Sequence, residues 1–302
     1  MRDDRRRGGT REKPNDDMTQ ASVNEKTFVT AGVIGWPVAQ SRSPMLHGAW
    51  LRHYGIAGAY LPLPVRPGRL EAALRGLAAL GFAGANVTVP HKAEAAARVD
   101  RLDATARRMG AVNLVVVAAD GTLEGRNTDG FGFMENLREQ APGWEAAAGP
   151  AVILGGGGGA RAAAASLLEA GAPEIRLVNR TAAHGARIAA ELGGNIIPLG
   201  WPARSAALAG AGLLVNTTSL GMTGQEPLEI RLDDLPVTAA VCDIVYNPLL
   251  TPLLLAAGAR GHPCVPGLGM LLHQARPSFA AWFGVLPEIT PALRRAVEAS
   301  LG

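Results

Sequence analysis

The feature that most constrains this chain is ten residues long: Ala151-Val152-Ile153-Leu154 runs straight into Gly155-Gly156-Gly157-Gly158-Gly159-Ala160, and an alanine- and leucine-rich stretch follows. An apolar strand that breaks on G-x-G-x-x-[GA] at the mouth of a helix is the opening unit of a dinucleotide-binding α/β sheet. Gly155 permits the tight turn, Gly157 lets backbone approach a pyrophosphate, and Ala160 lets the helix pack closely on its strand. The phosphates then rest on a helix N-terminus, where free N–H groups and the dipole favour negative charge. About twenty residues on, where NAD enzymes place an acid against the ribose 2′-hydroxyl, the chain reads Asn179-Arg180-Thr181. No carboxylate stands there. Arg180 can instead hold a 2′-phosphate by charge-assisted hydrogen bonds, so the expected cofactor is NADP(H).

The rest of the chain supplies a doubly wound sheet around that unit and a second domain beside it. Past a Pro/Gly/Ala-rich stretch from Ala141 to Pro150, short apolar runs recur at 151–154, 175–178, 195–198, 213–215, 240–245 and 263–265. Six strands are what a full doubly wound domain requires. Upstream, β-branched residues from Thr27 to Ile34 predict a strand, and Ser43-Pro44 before Met45, Leu46, Trp50 and Leu51 reads as an N-cap, a first-turn proline and an apolar helix face. Strands at 60–65 and 85–89 and helices at 69–80 and after Pro90 continue the alternation, which predicts a parallel-rich α/β sheet. Helices at 270–283 and 291–301 follow the last strand and are expected to return to the first domain, leaving a cleft. The expected organisation is a polar, disordered tail at 1–26, a first domain at 27–130 and 268–302, and the dinucleotide domain at 131–267.

Composition removes other classes. At 302 residues, two cores are expected. No apolar run approaches the roughly 18 residues of a membrane span, so a cytoplasmic protein with no membrane partner is expected. A formal net charge of +3, with both signs interspersed, argues against nucleic acid as a partner. Cys242 and Cys264 match no zinc or redox spacing, and the six histidines hold no HExxH pair, so no metal is expected. Two starts are open to translation, Met1 and Met18, the second just ahead of the first strand-like run.

Four polar clusters gather in the first domain. Ser41-Arg42-Ser43-Pro44 sets two hydroxyls at a helix start, where side-chain and backbone donors can bind a carboxylate, although a serine there is also an ordinary cap. Asn86 and Thr88 share a strand face by the period of two, and Lys92 lies past the strand end, where α/β sheets bind ligands. Asn113 in GAVN and Asp129 in NTDG complete the set.

These residues lie in runs that resemble the shikimate dehydrogenase family: VIGWPVAQSRSP, GANVTVPHK, GAVN, NTDG, GGGGGAR, NRT, NTTSLGM, YNPLLTPL and GLGMLLHQA, in the family's order across residues 28–284. The resemblance implies an α/β substrate-binding domain, an inserted Rossmann-like NADP domain and a helical C-terminal return. It implies NADPH-dependent reduction of 3-dehydroshikimate to shikimate, with a quinate/shikimate or aminoshikimate dehydrogenase paralogue, or a non-catalytic nucleotide-sensing regulator, as alternatives. Carried over by motif, Lys92 and Asp129 form the catalytic pair. Ser41 and Ser43 bind the substrate carboxylate, Asn86, Thr88, Asn113 and Gln274 bind ring oxygens, and Tyr246 helps to close the site. Gly155, Gly156, Gly157, Gly158, Gly159, Asn179, Arg180, Thr181 and Gly267 face the cofactor. The chain departs from the pattern at Gln40, Leu114, Arg126 and His184, none of them a proposed catalytic group. A homodimer is left open.

Overall fold

The computed structural model describes residues 28–301, so the polar tail, the Met18 start and Thr27 lie outside the described residues. The first part of the chain runs β1 (Val29–Gly35), α1 (Ser43–His53), β2 (Gly58–Pro64), α2 (Leu70–Ala79), β3 (Phe82–Val87) and α3 (Lys92–Arg98). It continues through β4 (Arg101–Leu102), α4 (Ala104–Met109), β5 (Leu114–Val117), β6 (Leu123–Arg126) and α5 (Asp129–Gln140). The six strands form one sheet in the order β2-β1-β3-β5-β6-β4. β1 is parallel to β2 and β3, but β5 pairs antiparallel with both β3 and β6. Periodicity alone missed β4, β5 and β6. The β5–β6 hairpin closes on Ala118–Thr122, where the Asp120 carboxylate accepts from Thr122 N at 2.9 Å, a turn signal carried by Asp-Gly.

The second sheet comprises β7 (Ala151–Leu154), α6 (Gly158–Glu169), β8 (Ile175–Asn179), α7 (Ala182–Leu192), β9 (Ile196–Gly200), β10 (Leu213–Asn216), β11 (Ala240–Asp243), α8 (Pro252–Ala259) and β12 (Cys264–Val265). All its pairings are parallel, in the order β12-β11-β10-β7-β8-β9. Counted from β7 this is the doubly wound order, with its switch point between β7 and β10. The strands read as unbroken apolar runs because both faces are covered. Ile153, Leu177 and Val215 pack on one side with Ala160, Ala163 and Phe133, and Val152, Leu154, Val178 and Leu214 pack on the other with Leu253 and Leu254.

α9 (Leu268–Phe283) and α10 (Pro291–Ala299) leave the second sheet and pack on the first. Leu272, Phe279, Trp282, Leu293 and Val297 share a core with Ala31, Val33, Leu46 and Trp50, and Ile34, Val87, Leu70 and Leu74 fill the opposite face of that sheet. Where α5 and α9 cross, glycine makes the approach possible. A Cβ at Gly132 would come within 2.6–2.8 Å of Gln274 and the Met270 carbonyl, and one at Gly269 would run into the Asn136 amide.

Two local expectations are corrected. Ser43 is not the N-cap of α1: Arg42 holds that position without a side-chain capping bond, and Ser43 lies in the first turn, its N–H donating to Ser41 Oγ at 3.3 Å. The strand expected at 85–89 is β3 at 82–87, because the chain turns at Val89-Pro90. Asn86 therefore sits inside a strand and Thr88 just beyond it.

Candidate active site

A cavity of about 490 Å³ lies between the two sheets. The first sheet's domain brings Ser41, Ser43, Asn86, Thr88, Lys92, Asn113 and Asp129 to its wall, Tyr246 comes from the loop after β11, Gly267 from the turn after β12, and Gln274 from the helix that follows. The nine side chains singled out for catalysis and substrate binding thus converge on one space from positions up to 233 residues apart (274 minus 41).

Lys92 opens α3 and Asp129 opens α5. Their side chains meet with Lys92 Nζ 2.6 Å from Asp129 Oδ2. The other carboxylate oxygen, Oδ1, accepts from Asn113 Nδ2 at 2.8 Å. Asp129 N donates to Asn127 Oδ1 at 3.0 Å, and Asn127 is tied in turn to the Ala111 carbonyl at 2.9 Å. A carboxylate in the first turn also gains from the helix dipole. Asp129 is 8% exposed, and such a charge is stable only with its partners in place.

Asn113 is fully engaged. Its Oδ1 accepts from Thr128 N at 2.9 Å, and its Nδ2 faces Asp129, Thr128 Oγ1 at 3.0 Å and, more distantly, Gln274 Oε1 at 3.4 Å. Thr128 Oγ1 donates to the Gln274 carbonyl at 2.9 Å, fastening the start of α5 to α9. Tyr246 is half-buried; burial raises its pKa, with the nearby Arg42 charge pulling the other way. Sequence reasoning passed over Thr128, Asn127, Ser278 and Tyr60, which hold the site residues in place. Only Thr128 and Asn127 carried a signal, as members of NTDG.

The loop after β7 has the shape of a phosphate cradle. Gly155 has φ +123°, and a Cβ there would strike the Thr217 hydroxyl. One at Gly156 would lie 2.6 Å from Asn179 Nδ2, and one at Gly159 would lie 2.8 Å from Ile244 Cδ1. Gly157 and Gly158, at the N-terminus of α6, face open space. Asn179 ends β8, its Nδ2 donating to the Thr181 carbonyl at 2.8 Å, and Arg180 and Thr181 follow, exposed. Gly267 lines the cavity, but its missing side chain is also required by packing: a Cβ would crowd the Ile244 and Val245 carbonyls. Among the described residues, no group of three or more His, Cys, Asp and Glu side chains is arranged to hold a metal ion.

A doubly wound domain with a glycine cradle at its switch point, joined through a shared cleft to a domain carrying a Lys–Asp pair, defines a two-domain nicotinamide-dependent dehydrogenase. Residues 33–115 match the shikimate dehydrogenase substrate-binding domain family. The chain is 58% identical over 267 residues to the shikimate dehydrogenase (NADP(+)) of Paramagnetospirillum magneticum, covering 88% of this chain and 97% of that one. It is 59% identical over 271 residues to that of Rhodospirillum rubrum, covering 88% and 96%. The crystal structure of shikimate 5-dehydrogenase from Thermus thermophilus in complex with NADP(H) and shikimate superposes with a TM-score of 0.80 at 35% identity, covering 90% of this chain and 99% of that one. Quinate dehydrogenase from Corynebacterium glutamicum in complex with NAD superposes with a TM-score of 0.82 at 27% identity, covering 91% and 99%. The chain belongs to the shikimate dehydrogenase family.

Proposed function

We propose that this protein reduces the ketone of 3-dehydroshikimate to shikimate with NADPH, in the pathway to chorismate and the aromatic amino acids, and that it does so in the cytoplasm. The observation that carries the reading is the Lys92–Asp129 pair in a cavity walled by Ser41, Ser43, Asn86 and Thr88. The first domain, taken as 27–130 with 268–302, binds substrate, and 131–267 binds the cofactor. The glycine cradle, open at Gly157 and Gly158, fits a pyrophosphate, and Arg180 at the end of β8 fits a 2′-phosphate.

When bound, NADPH supplies the hydride. The chain's own groups manage the proton and the orientation. Lys92, as an ammonium, hydrogen-bonds the ketone oxygen, stabilises the alkoxide character that develops there and delivers a proton. Asp129, held from behind by Asn113, fixes the lysine. In the oxidation direction the lysine takes the proton back. Ser41 and Ser43 hold the carboxylate, Thr88, Asn86 and Gln274 line the ring, and Tyr246 covers it.

Oxidation of NADPH and of NADH, each measured with 3-dehydroshikimate and with 3-dehydroquinate, tests the reading. Turnover is expected with 3-dehydroshikimate and NADPH. Faster turnover of 3-dehydroquinate would move the chain to the quinate side of the family, and no turnover of either would favour a regulator.

A further inference from the structure

The surrounding backbone decides which way the Asn86 amide points. One of its polar atoms lies 2.9 Å from the Asn113 carbonyl oxygen, which can only accept, so that atom is the nitrogen, Nδ2. The second amide hydrogen goes to Ser278 Oγ, also at 2.9 Å. Both donors are thus used within the protein. Asn86 Oδ1 accepts from the Tyr60 hydroxyl at 2.6 Å. An amide oxygen has two lone pairs, so Asn86, 6% exposed at the cavity wall, offers a ligand one acceptor and no donor.

Tyr60 is the residue that holds the oxygen end in place. It rises from the β2 edge strand into the core, and its ring lies flat on His47, the centroids 3.9 Å apart and the planes 5° from parallel. His47 is fully buried, with Trp50, Phe279 and Trp282 around it. Burial pushes the Tyr60 pKa well above 10, with the influence of the Ser43 hydroxyl pulling the other way. The hydroxyl therefore keeps its proton through the neutral range and donates it to Asn86.

We propose that Tyr60 is a positioning residue of the substrate site: the Asn113 carbonyl and Ser278 set the orientation of the Asn86 amide, and Tyr60 pins its oxygen in place, so that the remaining lone pair selects a ring hydroxyl, rather than a carbonyl or carboxylate oxygen, for the position against it. The inference rests on the reading of this cavity as the shikimate site. It gives that cavity a polarity: the acceptor wall at Asn86 takes a hydroxyl, and the donor wall at Lys92 is left for the ketone. A substrate turned the wrong way sets two lone pairs against each other, and a buried polar group left unpaired discriminates strongly.

The test is Tyr60→Phe, which removes the hydroxyl and keeps the ring on His47. The variant is assayed with NADP⁺ in the oxidation direction, using shikimate and two analogues, each lacking one of the two non-reacting ring hydroxyls. For shikimate, KM is expected to rise about tenfold while kcat falls less than about threefold and KM for NADP⁺ is unchanged. In the wild type, one analogue is expected to lose about tenfold in kcat/KM; in Tyr60→Phe that penalty is expected to shrink to about twofold. A shikimate KM within about twofold of wild type, or an analogue penalty equal in both proteins, would overturn the assignment, since a merely structural tyrosine lowers all substrates alike. A wild type that turns over none of these compounds would instead remove the reading of the cavity, and the inference with it.

Discussion

Lys92 Nζ stands 2.6 Å from one oxygen of Asp129, while Asn113 Nδ2 holds the other at 2.8 Å, so the carboxylate that opens α5 is clamped between a cation from the start of α3 and an amide from the bend before β5. Asn113 is itself oriented by the Thr128 N–H. The pair is therefore set before any ligand arrives, which is the condition for electrostatic stabilisation without reorganisation.

Lys92→Ala is expected to fold, to bind NADPH with near-normal affinity and to lose about 10²- to 10⁴-fold in kcat, the range for removing a positioned acid–base group. Asp129→Ala should be comparably damaging, and the double variant little worse than either single if the two act as one unit. Steady-state kinetics on the three proteins decide this. A raised KM at unchanged kcat in Lys92→Ala would reduce the lysine to a binding group.

Arg180→Ala should raise KM for NADPH by about tenfold or more and leave KM for NADH nearly unchanged, because only the phosphorylated cofactor makes the charge-assisted contact. Equal losses with both cofactors would assign Arg180 to general binding or folding.

The glycine cradle separates two roles within one loop. Gly155→Ala forces a side chain into φ +123° and against Thr217, so its melting temperature should drop. Gly157→Ala adds a methyl where no described residue lies within 4 Å, so stability should be retained while KM for NADPH rises. Calorimetry and kinetics on both variants check the contrast; a normal cofactor KM for Gly157→Ala would show that the backbone there does not approach a ligand.

His47 makes stability depend on acid. Burial lowers its pKa from 6.5 to about 3, and neither ring nitrogen has a hydrogen-bond partner among the described residues. Because the folded value is depressed, the unfolded chain binds the proton more readily, and stability present above pH 6.5 is lost as pH falls from there towards 3. Between pH 7 and 5 this group accounts for about 2 kcal/mol. His47→Leu, with similar volume and no polar atoms to bury, is expected to match or exceed wild-type stability at neutral pH and to show a shallower decline in acid, read from urea unfolding across that range. An unchanged slope would exclude His47 as the source.

Much of the second domain was legible in the chain itself. A parallel sheet covered on both faces leaves short apolar runs at regular intervals, and all six strands around Gly155–Gly159 were found where such runs occur. Ends were less visible. The run at 240–245 stops as a strand at Asp243 because that carboxylate, raised in pKa by burial, accepts hydrogen bonds from Val245 N, Asn216 and Thr251 and turns the chain. The antiparallel β5–β6 pair escaped because Leu114–Val117 is a four-residue run with one exposed turn to announce it.

What the sequence determined by itself were the groups with local grammar: the glycine turn, Arg180 in place of an acid, and the motifs that hold Lys92, Asp129 and the serines. Their meeting was decided only in three dimensions. α5 and α9 cross on Gly132 and Gly269 closely enough for Gln274 to reach Asn113, and no spacing along the chain encodes that approach. Tyr60 is the clearest case. In sequence it is one aromatic residue in an apolar strand; folded, the pairing of β2 with β1 and of β1 with β3 carries its hydroxyl to Asn86, because hydrogen-bond partners 26 residues apart are chosen by sheet order and register and not by the chain between them.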